Sequence, residues 1–239
     1  MGLMKDTVRT VKKKPVAVFD IDGTIFRSSL LIELTERLIE KGTFPKEVRG
    51  AYETERMRWL DRKGDYEAYI AKVINVFMAH VKGVRFEDMA EAAEEVIEEK
   101  QSRVYKYTRD LVRTLRRRGY YLLAISHSPK FIVDAFAYEL GFDKVYGFFY
   151  ETGPSGRFTG NVEDKDVILN KAAVLQRAVR KEGLTFERSV GVGDTESDIP
   201  MLDMVERPIA FNPNQVLYRH AKRRKWKVVI ERKDVIYEL

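Results

Sequence analysis

Apolar residues fall along this 239-residue chain in two rhythms, and the change between them divides it into parts. The first is a short continuous run, Pro15-Val16-Ala17-Val18-Phe19, which predicts a buried strand leading into Asp20-Ile21-Asp22-Gly23-Thr24. From about Ser28 to Tyr107 the spacing becomes helical almost throughout. Leu30, Leu31, Leu34, Leu38 and Ile39 form one stripe, stopped by Gly42. Val48 to Arg62 predicts a second, more polar helix, and Tyr66, Tyr69, Ile70, Val73, Ile74 and Phe77 mark a third ending near Gly83. Phe86 to Lys100 reads as a fourth, with an acidic face.

Helix and strand patterns then alternate. Thr108 to Arg118 is an amphipathic helix closed by Gly119, followed by a continuous apolar strand over Tyr120 to Ile125. Lys130 to Leu140 predicts helix, Lys144 to Tyr150 strand, and Gly153, Gly156 and Gly160 mark turns. A long helix over Asp166 to Glu182, a strand over Ser189 to Val192 and a short helix over Ile199 to Met204 come next. Strands at Ile209–Phe211 and Lys227–Ile230 flank a last helix over Gln215 to Lys225. This alternation predicts an α/β fold, a parallel sheet with helices on both faces. Residues 28–107 are then a helical insertion after the first strand, and 1–27 with 108–239 form the core.

Open parallel sheets bind ligands beyond the carboxyl ends of their strands. There the first strand offers Asp20 and Asp22, residues i and i+2, which on a strand point the same way roughly 6–7 Å apart. Carboxylates that close favour a cation between them or a raised pKa in one. Gly23 permits a sharp turn, and Thr24 adds a hydroxyl. Another strand ends in Ser126-His127-Ser128, before a helix whose free N–H groups suit an anion. A third ends in Gly193-Asp194-Thr195-Glu196-Ser197-Asp198, and Lys171 lies in the helix that feeds it. Carboxylates, a hydroxyl and an ammonium at one sheet edge suit Mg²⁺-assisted phosphoryl transfer.

Composition narrows the picture. A hydrophobic content of 44% supports a substantial core, and the absence of cysteine excludes disulfides, thiolate nucleophiles and Cys-based zinc sites, as expected of a cytoplasmic protein. The stretch Met1–Lys14 has no apolar region of the signal-peptide kind, and no run reaches the length of a spanning helix, so no membrane partner is expected. The net charge of +6 sets 43 basic residues against 37 acidic ones. Basic clusters at Lys12–Lys14, Arg116–Arg118 and Lys222–Lys227 read as solvated faces rather than nucleic-acid patches.

The order Asp-x-Asp-Gly-Thr, Ser, Lys, Gly-Asp-x-x-x-Asp resembles the four motifs of the haloacid dehalogenase superfamily of phosphohydrolases. Within it, the insertion after the first motif and the form of the next one, Ser126-His127-Ser128-Pro129, most resemble the phosphoserine phosphatase-like branch. Gly156-x-Phe158-Thr159-Gly160, Gly193 to Leu202, Asn212-Pro213 and Trp226 resemble that branch's IB-type subgroup. The resemblance implies that Asp20 is a nucleophile forming an aspartyl-phosphate, and that Asp22 is the general acid and then the base. It places Mg²⁺ among Asp20, the backbone carbonyl of Asp22 and Asp194, with Asp198 holding a bound water. It assigns Ser126 and Lys171 to the phosphoryl oxygens, has Thr24 orient Asp22, and makes residues 28–107 a cap over the site. The implied substrate is a small phosphorylated metabolite.

Several residues admit more than one role. Asp198 also suits the N-cap of the helix over Ile199–Met204, Lys165 rivals Lys171, and Ser126 suits a helix cap. His127 fits either a phosphate contact or plain packing, while His80 and His220 read as structural or exposed. Phosphoserine phosphatases place a glutamate nine residues after the nucleophile, where this chain has Ser29, and their usual Ser-Gly-Gly is here Ser126-His127-Ser128. Both differences weigh against phosphoserine itself, and a phosphoserine-like metabolite stays among the candidate substrates. Arg27, Arg56, Arg58 and Trp59 are candidates for substrate contact in and beside the insertion. The competing functional readings are a receiver-like signalling domain, or a phosphotransferase, using the same aspartate.

Overall fold

The computed structural model describes residues 13–239, so most of the Met1–Lys14 stretch and the start of the Lys12–Lys14 cluster lie outside the described residues. Its first element, β1 (Pro15–Phe19), is buried at every position. Four helices follow: α1 (Leu30–Glu40), α2 (Gly50–Leu60), α3 (Tyr66–His80) and α4 (Phe86–Lys100). The expected helix over 48–62 opens instead as a 3₁₀ turn at Lys46–Arg49, because Pro45 accepts an i→i+3 bond from the Val48 N–H at 3.2 Å. The acidic face predicted for α4 is used: Arg37 of α1 and Lys41 just past its end pair with Glu95 at 2.8 and 2.5 Å.

Next come α5 (Lys106–Arg117), β2 (Tyr121–Pro129), α6 (Lys130–Leu140), β3 (Lys144–Thr152) and β4 (Phe158–Glu163). They are followed by α7 (Lys165–Leu169), α8 (Lys171–Lys181), β5 (Thr185–Gly193), α9 (Ile199–Leu202) and β6 (Arg207–Phe211). The chain closes with α10 (Gln215–Arg224), β7 (Lys227–Arg232) and β8 (Val235–Glu238). The eight strands form one sheet in the order β4-β3-β2-β1-β5-β6-β7-β8. Its six inner strands are parallel and only its two edge pairs are antiparallel. Those edges, β4 and β8, are the strands that the hydrophobic pattern does not predict.

Two further departures shape the site. β2 runs on past Ile125 to Pro129, with a register shift that pairs Pro129 with Phe148. The long helix expected over 166–182 breaks at Asn170, whose backbone (φ −93°, ψ 79°) leaves the helical region. The Asn170 side chain accepts a hydrogen bond from the Ala173 N–H at 3.0 Å and so starts α8 afresh at Lys171.

The segment carrying α1–α4 leaves and rejoins the sheet through paired backbones. The Arg27 N–H bonds the Arg103 carbonyl and the Tyr105 N–H bonds the Ile25 carbonyl, both at 2.9 Å. A second tie joins the α3–α4 turn to β4, where Phe158 N–H reaches Val84 O at 2.9 Å and Gly83 N–H reaches Phe158 O at 2.8 Å.

β3 lies hard against the β2–α6 junction because Gly147 has no side chain: a Cβ there would sit 2.9 Å from both Lys130 Cα and Ser128 O. Backbone atoms cannot step aside as a flexible side chain can. The Gly147→Ala variant is expected to lose about 1–3 kcal/mol of stability in urea titration; an unchanged midpoint and slope would contradict this packing.

Candidate active site

Asp20 follows the last residue of β1, and its N–H is fixed to the Val192 carbonyl of β5 at 3.0 Å. The chain then turns tightly, with the Ile21 carbonyl accepting from the N–H groups of Ile25 and Phe26, each at 2.9 Å. Gly23 holds φ +78°, and a side-chain carbon there would collide with the Asp194 carboxylate. Glycine thus lets the turn after β1 press against the loop after β5. At the end of β5 a Cβ on Gly193 would lie 2.5 Å from Asp198, so a second glycine gives that carboxylate its place.

These turns bring Asp20, Asp194 and Asp198 together, with one carboxylate oxygen of each within 4.8 Å of the others. Lys171, only 3% exposed, reaches between two of them. Its Nζ donates to Asp20 Oδ1 at 2.5 Å and to Asp198 Oδ1 at 2.6 Å. The other Asp198 oxygen accepts from the N–H groups of Asp194 and Thr195, at 3.0 and 3.2 Å. Asp198 stands at the start of α9, but its side chain bonds backwards into the Asp194–Thr195 turn instead of capping that helix. Lys165, the sequence rival of Lys171, is exposed.

Three carboxylates face one ammonium, so the cluster is short of positive charge. Burial pushes the Asp20 pKa up to about 7, against the Lys171 ammonium and with the help of Asp198 and Asp22. Burial first, then Asp20 and Asp198, also hold Asp194 well above the ordinary carboxylate range. Burial works to lower the Lys171 pKa, but Asp198 and Asp20 overcome it, and the amine stays protonated. A divalent cation among these oxygens would relieve the same repulsion, and hard oxygen donors are what Mg²⁺ takes.

The Asp22 carboxylate stands outside this cluster and does not share the direction with Asp20 that strand spacing predicts. Its Oδ1 accepts from the Leu30 N–H at 2.6 Å, and its Oδ2 from the hydroxyls of Ser126 at 2.6 Å and Ser128 at 2.9 Å. Strand alternation fails here because β1 ends at Phe19, before either aspartate. Ser126 is accordingly held by Asp22, and its oxygen also accepts the Ser128 N–H at 2.9 Å. Thr24 is expected beside Asp22, but the tight turn carries its hydroxyl to Asp194 Oδ1 at 3.1 Å.

The His127 ring lies over Phe148, with centroids 5.7 Å apart and planes at 24°. Burial and then the Lys171 charge push its pKa down to about 4, so it is neutral at physiological pH. Its buried Nε2 has no hydrogen-bond partner among the described residues. His80 and His220 stand elsewhere: the first bonds the Val76 carbonyl at 2.8 Å, and the second packs on Trp226.

A cavity of about 870 Å³ opens above the acids, with Gly23, Asp194 and Thr195 on one side and α1–α3 on the other. Arg27, Arg56 and Trp59 line it, while Arg58 does not and faces Glu55 at 3.4 Å. Two residues here escape sequence reasoning. Ser128 shares the Asp22 carboxylate with Ser126, and the i, i+2 spacing on one strand is the signal that points to it. Tyr66, which reads as part of an apolar helix stripe, lines the cavity. Burial and the charges of Asp22 and Asp194 raise its pKa and keep the hydroxyl protonated.

Comparison with known proteins identifies relatives of the chain. The chain is 28% identical over 210 residues to a phosphoserine phosphatase of Archaeoglobus fulgidus, a match covering 86% of the chain but only 55% of that protein's length. It is 27% identical over 224 residues to a histidinol-phosphatase of Neisseria meningitidis, covering 90% of the chain and 98% of the relative. In fold it is similar to a phosphoserine phosphatase solved as a phospho-aspartyl intermediate analogue, at a TM-score of 0.60 and 24% identity, covering 93% and 96% of the two chains. A protein of unknown function from Bordetella pertussis superimposes at a TM-score of 0.68 and 22% identity, covering 92% and 99%. The sequence pattern of the haloacid dehalogenase-like hydrolases matches residues 17–203, a span that contains all four clustered residues and Asp22. The chain therefore belongs to the haloacid dehalogenase-like hydrolase family.

Proposed function

We propose that this hydrolase cleaves phosphomonoesters of small metabolites with Mg²⁺, through a phosphorylated Asp20, in the cytoplasm. The observation that carries the reading is the buried grouping of Asp20, Lys171, Asp194 and Asp198 beneath the cavity. An Asp20 oxygen attacks phosphorus, the bond from phosphorus to the ester oxygen breaks, and the departing oxygen takes a proton from Asp22. Water then attacks phosphorus, gives its proton to Asp22, and releases inorganic phosphate with Asp20 restored. Both Asp22 oxygens are occupied in the arrangement described, so its acid–base role exchanges at least one of those bonds for the leaving oxygen.

Lys171 offsets charge on the phosphoryl group as well as on Asp20 and Asp198. Ser126 and the backbone beside His127 bind phosphoryl oxygens, and Thr24 steadies Asp194. Asp20, Asp194 and the Asp22 carbonyl would hold Mg²⁺, with Asp198 next to them, and the bound ion supplies charge neutralisation at the phosphoryl oxygens. Residues 28–107 act as a cap that keeps bulk water from the acids. The names of the two curated relatives and the clustered acids support this reading over a receiver-like domain or a phosphotransferase.

With p-nitrophenyl phosphate as substrate, Asp20→Asn is expected to reduce kcat by about 10³-fold or more while circular dichroism stays unchanged. Turnover near the wild-type rate would refute the nucleophile. Chelation with EDTA is expected to abolish hydrolysis and added Mg²⁺ to restore it; full activity after exhaustive dialysis against chelator would refute the metal requirement.

A further inference from the structure

The cavity wall facing the acids is aromatic. Trp59 and Tyr69 stack with centroids 5.9 Å apart and planes at 21°. Tyr66 stands edge-on to both, at 5.5 Å from Trp59 and 6.2 Å from Tyr69, and Tyr52 backs Tyr69 at 6.2 Å. Trp59, Tyr66 and Tyr69 all line the cavity, and Tyr66 is the ring whose hydroxyl feels the Asp22 and Asp194 charges. The wall therefore begins near Asp22 and Asp194 and extends away from them along α2 and α3.

Four charged residues of the same cavity pair with one another, while Arg27 and Arg62 have no carboxylate partner among the described residues. Glu36 is held by Arg49 and by the Tyr52 hydroxyl, each at 2.6 Å. Glu53 pairs with Arg56 at 2.9 Å, and Glu33 pairs with Lys100 at 2.5 Å. Asp65 caps α3 through the Ala68 N–H at 2.7 Å. Glu67 has no cationic partner among the described residues, but it is exposed. At Ser29, buried next to Tyr66, there is no carboxylate to meet an ammonium.

Taking the phosphomonoesterase reading as its basis, we propose that the Trp59–Tyr66–Tyr69 wall selects substrates whose alcohol carries a flat aromatic ring. Such a ring gains offset-stacked or edge-to-face contact with the wall, whereas an aminoacyl ammonium finds Glu33, Glu36 and Glu53 already paired. Trp59 is the key selectivity residue, since it is half-buried and presents the largest π-face.

Four alkyl phosphates of similar leaving-group chemistry test this: 2-phenylethyl phosphate, 2-cyclohexylethyl phosphate, histidinol phosphate and phosphoserine. The expected order of kcat/KM places both aromatic esters above the saturated ring and phosphoserine last. Trp59→Ala is expected to shrink the 2-phenylethyl to phosphoserine ratio about three- to tenfold, chiefly through KM, and Trp59→Phe to retain most of it. A preference for phosphoserine or for the saturated ring, or a ratio untouched by Trp59→Ala, would overturn the proposal. Binding supplies a readout free of hydrolysis. In a Trp226→Phe background Trp59 is the sole tryptophan, and 2-(4-nitrophenyl)ethanol is expected to quench its fluorescence saturably. Merely linear, collisional quenching would overturn the proposal. Saturable quenching in a protein that hydrolyses none of the esters would instead sink the phosphatase reading and leave the aromatic wall standing.

Discussion

The site depends on one buried ammonium. Lys171 reaches Asp20 at 2.5 Å and Asp198 at 2.6 Å, and all three side chains are almost wholly removed from water. Taking each charge out of solvent costs several kcal/mol, so the grouping persists only where short, charge-assisted bonds offset that cost. Here Lys171 supplies two such bonds, and backbone N–H groups satisfy the second Asp198 oxygen. Without the ammonium, three carboxylates would crowd one edge with nothing among the described side chains to balance them. With it, Asp20 is aimed and partly neutralised, the condition a carboxylate needs to approach a negatively charged phosphoryl group.

Much of the architecture places that ammonium and its partners. β1 is central, between β2 and β5, so Asp20 emerges where the neighbouring strands deliver Ser126 and Asp194. The break at Asn170 puts Lys171 in the first turn of α8, close enough to bridge two strand ends. Gly23 and Gly193 remove the side chains that would hold the two acidic loops apart. The helices above then meet the sheet through Asp22 itself, which accepts the Leu30 N–H at the start of α1. A residue given a role in proton transfer is thus also a link between the inserted helices and the catalytic edge.

Local pattern is enough to bring the clustered side chains to one sheet edge but not to orient all of them. The helices over Phe86–Lys100 and Lys130–Leu140 and the strand at Pro15–Phe19 follow from periodicity alone, because each buries one continuous face. Asp20, Lys171, Asp194 and Asp198 meet as the strand-end rule requires. The edge strands β4 and β8 are not legible, since an exposed edge carries little hydrophobic signal. Nor is the helix break, which hangs on one asparagine bonding its own backbone three residues on. The partners of Thr24 and Asp22 differ from those expected because a tight turn after β1 ends the alternation on which the expectation rests. Side-chain direction in such turns is set by contacts from distant segments, and those are absent from local sequence.

The central claim is that the Asp20 carboxylate, aimed by Lys171, carries the phosphoryl group covalently. Borohydride quenching of enzyme in mid-turnover with saturating substrate, followed by peptide mass spectrometry, tests it most directly, because an acyl phosphate is reduced to the alcohol while a free carboxylate is not. Reduction to homoserine at position 20, and at no other aspartate, is the result this account predicts. Reduction at a different residue, or an unaltered Asp20 in enzyme caught during active turnover, would contradict it.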